Sequence, residues 1–310
     1  MLAGLALAAQ DSAGLSRLTA TDGFRVPATK QPARIYAVAA VSVGLYAGGL
    51  AVLSNNWYKK YPQSSFHFFN DSGDWLQMDK AGHTYSAYSI GRISKELWAW
   101  AGLNRKQSIW IGGLSGTAFL TVIEILDGYS SEWGFSTGDL AANLCGSGLF
   151  IAQELAWNEQ RFQLKFSFHK NDYADPSLNQ RANELFDKTT MSRMLKDYNA
   201  QTYWISTNIH AFFKKSGWPS WLNIAVGYGA DGLFGGSQNI YKDPQGNILF
   251  NRSDIPRIRQ WYLAPDIDLT KIKTKSRFLK TTFFLLNSLK FPAPSIGFSK
   301  KGVEWNWLHF

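Results

Sequence analysis

Apolar residues recur at helical spacing through the first half of the chain, and short polar breaks divide them into segments. The pattern predicts helices at about Lys80–Ala101, Gln107–Leu126 and Gly138–Glu159. Turn-forming residues fill the two breaks between these helices. Because short connections make neighbouring helices antiparallel, the three segments together with an earlier apolar segment predict a four-helix arrangement.

The earlier apolar segment, Ile35–Tyr58, contains no charged residue, and basic residues stand on both sides of it: Lys30, Arg34, Lys59 and Lys60. Its length is sufficient to cross a hydrocarbon core about 30 Å thick. Its many small residues also suit close packing, so a buried central helix is the competing interpretation. We favour a membrane span.

Beyond Arg161 apolar and polar residues alternate, which predicts β-strands. The predicted elements of this region are one amphipathic helix, Leu178–Asn199, and strands at Gln163–His169, Trp221–Gly229, Arg259–Asp268, Leu289–Ser299 and Val303–Phe310. Short connections between the strands predict an antiparallel meander. The last strand resembles the closing strand of bacterial outer-membrane barrels, so closure into a barrel and a soluble sheet packed on the helices both stay open.

The predicted fold class is α+β, with a membrane-associated antiparallel helical bundle followed by an antiparallel β-meander. Residues 1–33 are interpreted as a truncated export signal and linker, because residues 1–11 combine an apolar run with a polar end. An ordinary short N-terminal helix is the alternative. Residues 34–160 are predicted to form the bundle, and residues 161–310 the β-rich region with its amphipathic helix.

Composition narrows the classes of partner. The 310 residues carry a formal net charge of +9, but no nucleic-acid-binding motif accompanies the scattered basic residues. Positive charges beside apolar residues, at 271–277 and at Lys300 and Lys301, suit an anionic membrane surface or a solvated face. The 13 Trp, 13 Tyr and 21 Phe fit a membrane interface or a large aromatic core. We expect membrane lipid as a partner, an envelope protein as a further candidate partner, and no nucleic acid.

Polar residues occur in pairs on the three predicted helices, three or four positions apart: Asp79 and His83, Glu124 and Asp127, and Asp139 and Asn143. Residues at this spacing share a helix face, so the pairs can point into one interior. Carboxylates are rarely buried without partners. The cluster is therefore either a structural network or a functional site.

The site hypothesis takes its acid/base residues from all three helices: His83, Glu124, Asp127 and Asp139. Three of them, His83, Glu124 and Asp139, are candidate metal ligands, although their spacing matches no established metal signature. In the structural hypothesis, His83 bonds Glu124 or Asp127, Lys80 neutralises a neighbouring acid, and Ser136 with Asp139 caps the third helix. The sequence requires no cofactor and leaves open whether the protein is an enzyme.

A longer motif connects these positions. It reads Asp-Lys-Ala-Gly-His, then a Glu at the end of an apolar helix, then Gly-Phe-Ser-x-Gly-Asp-x-x-Ala-Asn. The motif resembles the YfiM-like family of bacterial envelope proteins of unknown function and, more distantly, the VanZ-like membrane family. The resemblance covers about Asp79–Gln153, and the family positions are Asp79, Lys80, His83, Glu124, Asp127, Ser136, Asp139 and Asn143.

The resemblance implies a location in the bacterial cell envelope, with the outer membrane or periplasm favoured and the inner membrane as the alternative. The function that we predict is a membrane-associated structural or interaction component. The alternative is an envelope enzyme that acts on a lipid-linked or cell-wall substrate through His83, Glu124 and Asp139.

Overall fold

The computed structural model describes residues 26–56, 62–243 and 245–309. The predicted export signal at residues 1–11 lies outside the described residues. The chain divides into two compact units, which we name the helical unit and the sheet unit. The helical unit contains the described residues up to Asn70, His83–Gln160 and Leu269–Leu286, and the sheet unit contains Asp71–Gly82, Arg161–Asp268 and the described part of Asn287–Phe310.

The described residues form helices and strands in an order that confirms the predicted α+β fold, with a helical bundle before an antiparallel sheet. The helices are α1 (Pro32–Asn56), α2 (Met78–Trp100), α3 (Arg105–Asp127), α4 (Thr137–Trp157), α5 (Pro176–Phe186), α6 (Thr190–Lys196), α7 (Ile209–Phe212) and α8 (Arg277–Leu286). The strands are β1 (Phe162–Phe168), β2 (Gln201–Thr207), β3 (Leu222–Asp231), β4 (Ile240–Lys242), β5 (Ile248–Asn251), β6 (Ile258–Ile267), β7 (Ala293–Ser299) and β8 (Gly302–His309).

Local signals set the ends of the bundle helices. The side chain of Asn104 caps α3 by accepting a hydrogen bond from the Gln107 backbone amide. In the other direction, the Asn104 backbone amide donates a hydrogen bond to the side-chain oxygen of Gln107. The Ser136 hydroxyl caps α4 by accepting a hydrogen bond from the Asp139 amide. At its other end α4 stops at Asn158, whose backbone has the left-handed φ of 56°.

Glycines bring the bundle helices into close contact. Gly116 of α3 lies against the backbone of α2 at Ala87, and Gly146 of α4 lies against the carbonyl of Thr84, also on α2. A Cβ at either glycine would collide with that backbone. The close approach lets the Thr84 hydroxyl donate a hydrogen bond to the Ala142 carbonyl of α4, at 3.2 Å. Interhelical contacts of this kind need small residues at the interface.

α1 is apolar and poorly covered. Two helices of the described chain are long and apolar enough to cross a bilayer, Pro32–Ser54 within α1 and Arg105–Asp127, which is α3. In the apolar stretch of α1 only 6% of the residues are buried, whereas 33% are buried in the corresponding stretch of α3. The Tyr46 ring of α1 stacks on Phe119 of α3 at 4.6 Å, and Val38 is its one buried residue among those described. Among the described residues α1 is therefore not covered to the extent that a buried central helix would be.

The sheet unit is built on six antiparallel strands in the order β1-β2-β3-β6-β7-β8, and β4 pairs with β5 in a separate hairpin. β2 was not predicted. The sheet does not close into a barrel within the described residues, because its strand order ends at β1 and β8. At the β1 edge, the Phe166 amide donates a hydrogen bond to the Ser288 carbonyl at 3.0 Å, just before β7.

The predicted amphipathic helix at Leu178–Asn199 is two helices, α5 and α6. The break falls at Asp187, whose backbone has a φ of 72°, a conformation that a continuing right-handed helix does not contain. Thr189 then caps α6 by accepting a hydrogen bond from the Ser192 amide.

Two glycines of α4 provide a test of the close helix contact. Gly146→Ala should lower the free energy of unfolding by about 1–3 kcal/mol, because the new methyl group displaces the α2 backbone. Gly148→Ala, two residues away, meets no atom within 4 Å and should raise stability by about 0.5–1 kcal/mol through the better helix propensity of Ala. Chemical denaturation of both variants in detergent micelles measures the difference. Equal effects of the two substitutions would contradict the packing.

Candidate functional site

His83 is the residue at which the three bundle helices meet. It lies on α2, and its Nδ1 is 3.0 Å from the side-chain oxygen of Asn143 on α4. Its Nε2 is 3.6 Å from Oε1 of Glu124 on α3. An amide oxygen only accepts hydrogen bonds, so in this contact Nδ1 carries a proton and donates it to the Asn143 oxygen.

Glu124 is buried, with 2% of its surface exposed. Its Oε2 accepts a hydrogen bond from the Ser136 amide at 3.2 Å, at the start of α4. Burial raises the pKa of this carboxyl from its ordinary value of 4.5 to about 8, His83 opposes that rise, and Asp139 and Asp127 add to it. Glu124 therefore retains its proton near neutral pH, where it can donate a hydrogen bond.

Asp139 and Asp127 occupy different environments. Asp139 is buried in the first turn of α4, and one of its carboxylate oxygens lies within 4.8 Å of a His83 ring nitrogen. Asp127 is partly exposed at the end of α3, where it acts on Glu124 through its charge. The structure thus brings His83, Glu124 and Asp139 together and leaves Asp127 at the margin.

Asn143 is fully buried between helices. Its side-chain oxygen contacts His83, but its amide nitrogen Nδ2 makes no hydrogen bond to any described residue. Its backbone carbonyl accepts a hydrogen bond from the Thr117 hydroxyl of α3 at 2.9 Å. A buried amide nitrogen without an acceptor is costly, by roughly 1–3 kcal/mol, so an ordered water, an ion or a ligand is the expected partner.

The first two motif residues belong to the sheet unit. Asp79 lies one helical turn before His83 on α2, and its Oδ1 accepts a hydrogen bond from the Tyr198 hydroxyl at 2.9 Å. Lys80 forms ion pairs with Asp71 at 2.5 Å and with Asp79 at 3.4 Å. Asp79 and Lys80 therefore help to organise residues Asp71–Gly82 of that unit.

A second buried cluster, which the sequence did not predict, lies on α2 and α4. Lys95 is 2.5 Å from Glu96 and 3.6 Å from Glu154, and all three side chains are buried. Lys95 and Glu96 are adjacent in the sequence, and Glu154 is far from them along the chain, so helical spacing does not connect them. The one sequence feature that could have indicated this cluster is the presence of charged residues in otherwise apolar helices.

The arrangement around His83 supports two kinds of chemistry. An imidazole nitrogen with carboxylate oxygens nearby can hold a divalent cation. A ring nitrogen of His83 and a carboxylate oxygen of Asp139 lie within 4.8 Å of each other, and Glu124 does not belong to that closely spaced group. A carboxyl with a raised pKa beside an imidazole can also transfer a proton.

Comparison with known proteins finds a matching protein family, and the residues around His83 lie within the matched stretch. Residues 67–153 match a family described as predicted periplasmic lipoprotein (DUF2279). No curated protein and no solved structure matches the chain. The description confirms the predicted location in the cell envelope and supports an envelope family of unknown function. It also supports association with a membrane.

The raised pKa of Glu124 predicts a pH dependence of stability. Between the unfolded pKa of 4.5 and the folded pKa of about 8, the folded protein retains a proton that the unfolded chain releases. The stabilisation is complete below the lower value and is lost as the pH rises to the upper one, at most about 1.4 kcal/mol per pH unit. Glu124→Gln keeps an oxygen for the Ser136 amide but cannot ionise, so its stability should change less with pH.

Chemical denaturation in micelles containing EDTA, repeated from about pH 5 to about pH 8.5, measures this dependence. Glu132→Gln is the control, because Glu132 is an exposed glutamate of the same unit. The control should follow the wild-type curve. If Glu124→Gln does so as well, the Glu124 carboxyl is not the group responsible.

Proposed function

We propose that the protein is a membrane-associated structural or interaction component of the bacterial cell envelope, with α1 as its membrane span. The observation that carries the proposal is the exposure of α1. Large apolar side chains project from this helix without cover, among them Val43 at 66% and Leu45 at 67% exposed. Its 25 residues extend about 37 Å, enough to cross a bilayer.

The polar centre of the bundle supports a structural role. His83, Glu124 and Asn143 each belong to a different helix, and their contacts fix the position of α2 against α3 and α4. Polar contacts inside an apolar bundle define one arrangement of the helices, because any shift would leave buried polar groups without partners.

We further propose the finer family identity suggested by the motif, YfiM-like and more distantly VanZ-like. The motif residues from His83 to Asn143 all fall within the matched residues 67–153. The proposed location is the outer membrane or the periplasm, with the inner membrane as the alternative. Separation of inner and outer membranes from periplasm decides among these three.

A charge in the middle of α1 tests the proposed span. Arg at the centre of a spanning helix disfavours insertion by about 2.5–3.5 kcal/mol, so Leu45→Arg should increase the fraction of protein that alkaline carbonate extracts from membranes. Leu195→Arg on α6 is the control, because Leu195 is exposed to a similar extent, 57%, outside the proposed span. Equal extraction of the two variants would contradict a membrane-spanning α1.

The second candidate function is an envelope enzyme that uses the His83 cluster on a lipid-linked or cell-wall substrate. The unsatisfied Nδ2 of the buried Asn143 favours it, because a bound ligand could accept that hydrogen bond. His83, Glu124 and Asp139 would then act as metal ligands or as an acid/base set.

Metal analysis tests the metal-binding form of the second candidate. The site hypothesis predicts one divalent cation per chain after dialysis against Zn²⁺ or Mn²⁺, and loss of that cation in His83→Gln. His67→Gln is the matched control, since His67 lies in the same unit and bonds Ser64. If the wild-type protein retains no metal and His83→Gln only lowers stability, the metal site is excluded.

A further inference from the structure

The buried face of the six-stranded sheet carries many polar side chains beside one apolar cluster, Trp204, Ala225, Tyr262 and Ala264. The opposite face is largely apolar and exposed. Burial alternates along its central strands: Ala225 and Ala264 are buried, whereas their neighbours Val226 and Leu263 are exposed. Buried polar side chains occupy the inner face: Lys165, Thr202, Ser206, Asn223, Asp266 and Ser295. Large exposed apolar side chains occupy the outer face: Ile205, Val226, Trp261, Leu263, Phe298 and Trp305.

Strand register joins the outer side chains into continuous rows. One row crosses five strands and contains only apolar residues: Ile205, Val226, Leu263, Ile296 and Trp305. The next row contains Tyr228, Trp261, Phe298 and Val303. The exposed apolar surface is therefore a band across β2, β3, β6, β7 and β8 rather than a set of scattered residues. It ends at β1, where Leu164, beside Ile205 in the same row, is buried.

Buried charges on the inner face pair with each other. Lys165 and Asp266 are fully buried and 2.7 Å apart, and the Ser206 hydroxyl donates a hydrogen bond to Asp266 at 2.6 Å. A water-soluble antiparallel sheet has the opposite arrangement, with its apolar face on a core and its polar face in water. Polar side chains inside and apolar side chains outside are the arrangement of a sheet that faces hydrocarbon.

Aromatic rings and basic residues bound the band at one edge. Trp261 is half exposed in this edge row, and its ring centre is 4.8 Å from that of Tyr228, whose hydroxyl donates a hydrogen bond to the Leu76 carbonyl. The β7–β8 turn beyond the row is Lys300-Lys301. Aromatic rings followed by cations are typical of the boundary between hydrocarbon and anionic headgroups. From Leu222 to Tyr228 the band extends about 20 Å, close to the apolar height of about 25 Å in membrane sheets.

We propose that the outer face of the six-stranded sheet lies in the hydrocarbon of a lipid bilayer, with the Lys300-Lys301 turn at the level of the headgroups. The inference rests on the membrane association proposed above and extends it from α1 to a second surface. It fails if another protein chain or water covers this face, even where α1 spans the membrane.

Site-directed fluorescence in vesicles tests the proposal on the full chain. Cys145, the single cysteine, is exposed and is first replaced by Ser. An environment-sensitive label is then attached at Leu263→Cys or, on the same row, at Val226→Cys. Val43→Cys reports on α1, and Lys188→Cys, at an exposed position between α5 and α6, is the aqueous control. The vesicles contain phosphatidylethanolamine and phosphatidylglycerol, with or without lipid carrying a doxyl quencher in its tail.

We expect the doxyl lipid to quench the labels at Leu263 and Val226 severalfold more than the label at Lys188. Quenching at Val43 without quenching at either sheet position would overturn the inference and leave the proposed span intact. Quenching at none of these positions would overturn both. Labels at Leu263 and Val226 that are shielded from doxyl lipid and from aqueous iodide alike would show a covering protein chain, such as a second copy, and would also overturn the inference.

Discussion

The contact of His83 with Glu124 and Asn143 is the constraint on which the helical unit depends. Side chains from three helices reach one another only where the helix backbones approach closely, and Gly116 and Gly146 allow that approach. A buried polar group without a partner costs roughly 1–3 kcal/mol. The polar centre and the glycine contacts therefore depend on each other, because neither is stable in a bundle with wider spacing.

In the sheet unit, too, buried polar side chains from different strands contact one another. Lys165 and Asp266 are fully buried and paired at the inner face, and apolar side chains such as Leu263 face outward. Apolar clusters are buried as well, such as Trp204 with Ala225 and Tyr262, but much of the remaining apolar surface stays uncovered. A water-soluble domain covers most of its large apolar side chains. This uncovered surface is the reason for our proposal that lipid contacts the protein.

The parts of the structure that follow from local pattern could be predicted from the sequence. The three bundle helices α2, α3 and α4 match their predicted ranges closely, because helical periodicity and capping residues act over a few positions. Helical spacing also indicated the polar cluster, since Asp139 and Asn143 share a face of α4.

Features that depend on contacts between distant segments could not be predicted. β2 was missed because both of its faces carry polar residues, such as Gln201 and Thr202, which weakens the alternation. The break at Asp187 was missed because amphipathic spacing continues across it. The pairing of Lys165 with Asp266 joins positions far apart in the chain, and no local pattern relates them.

The central claim is that side chains from separate helices are energetically coupled at one buried point. A double-mutant cycle on His83→Ala and Asn143→Ala, with unfolding free energies measured in micelles, tests it most directly. Coupled residues are expected to give an interaction energy of about 0.5–3 kcal/mol, because the first substitution already removes the 3.0 Å contact that the second would break. Additive effects, within about 0.3 kcal/mol, would contradict the claim.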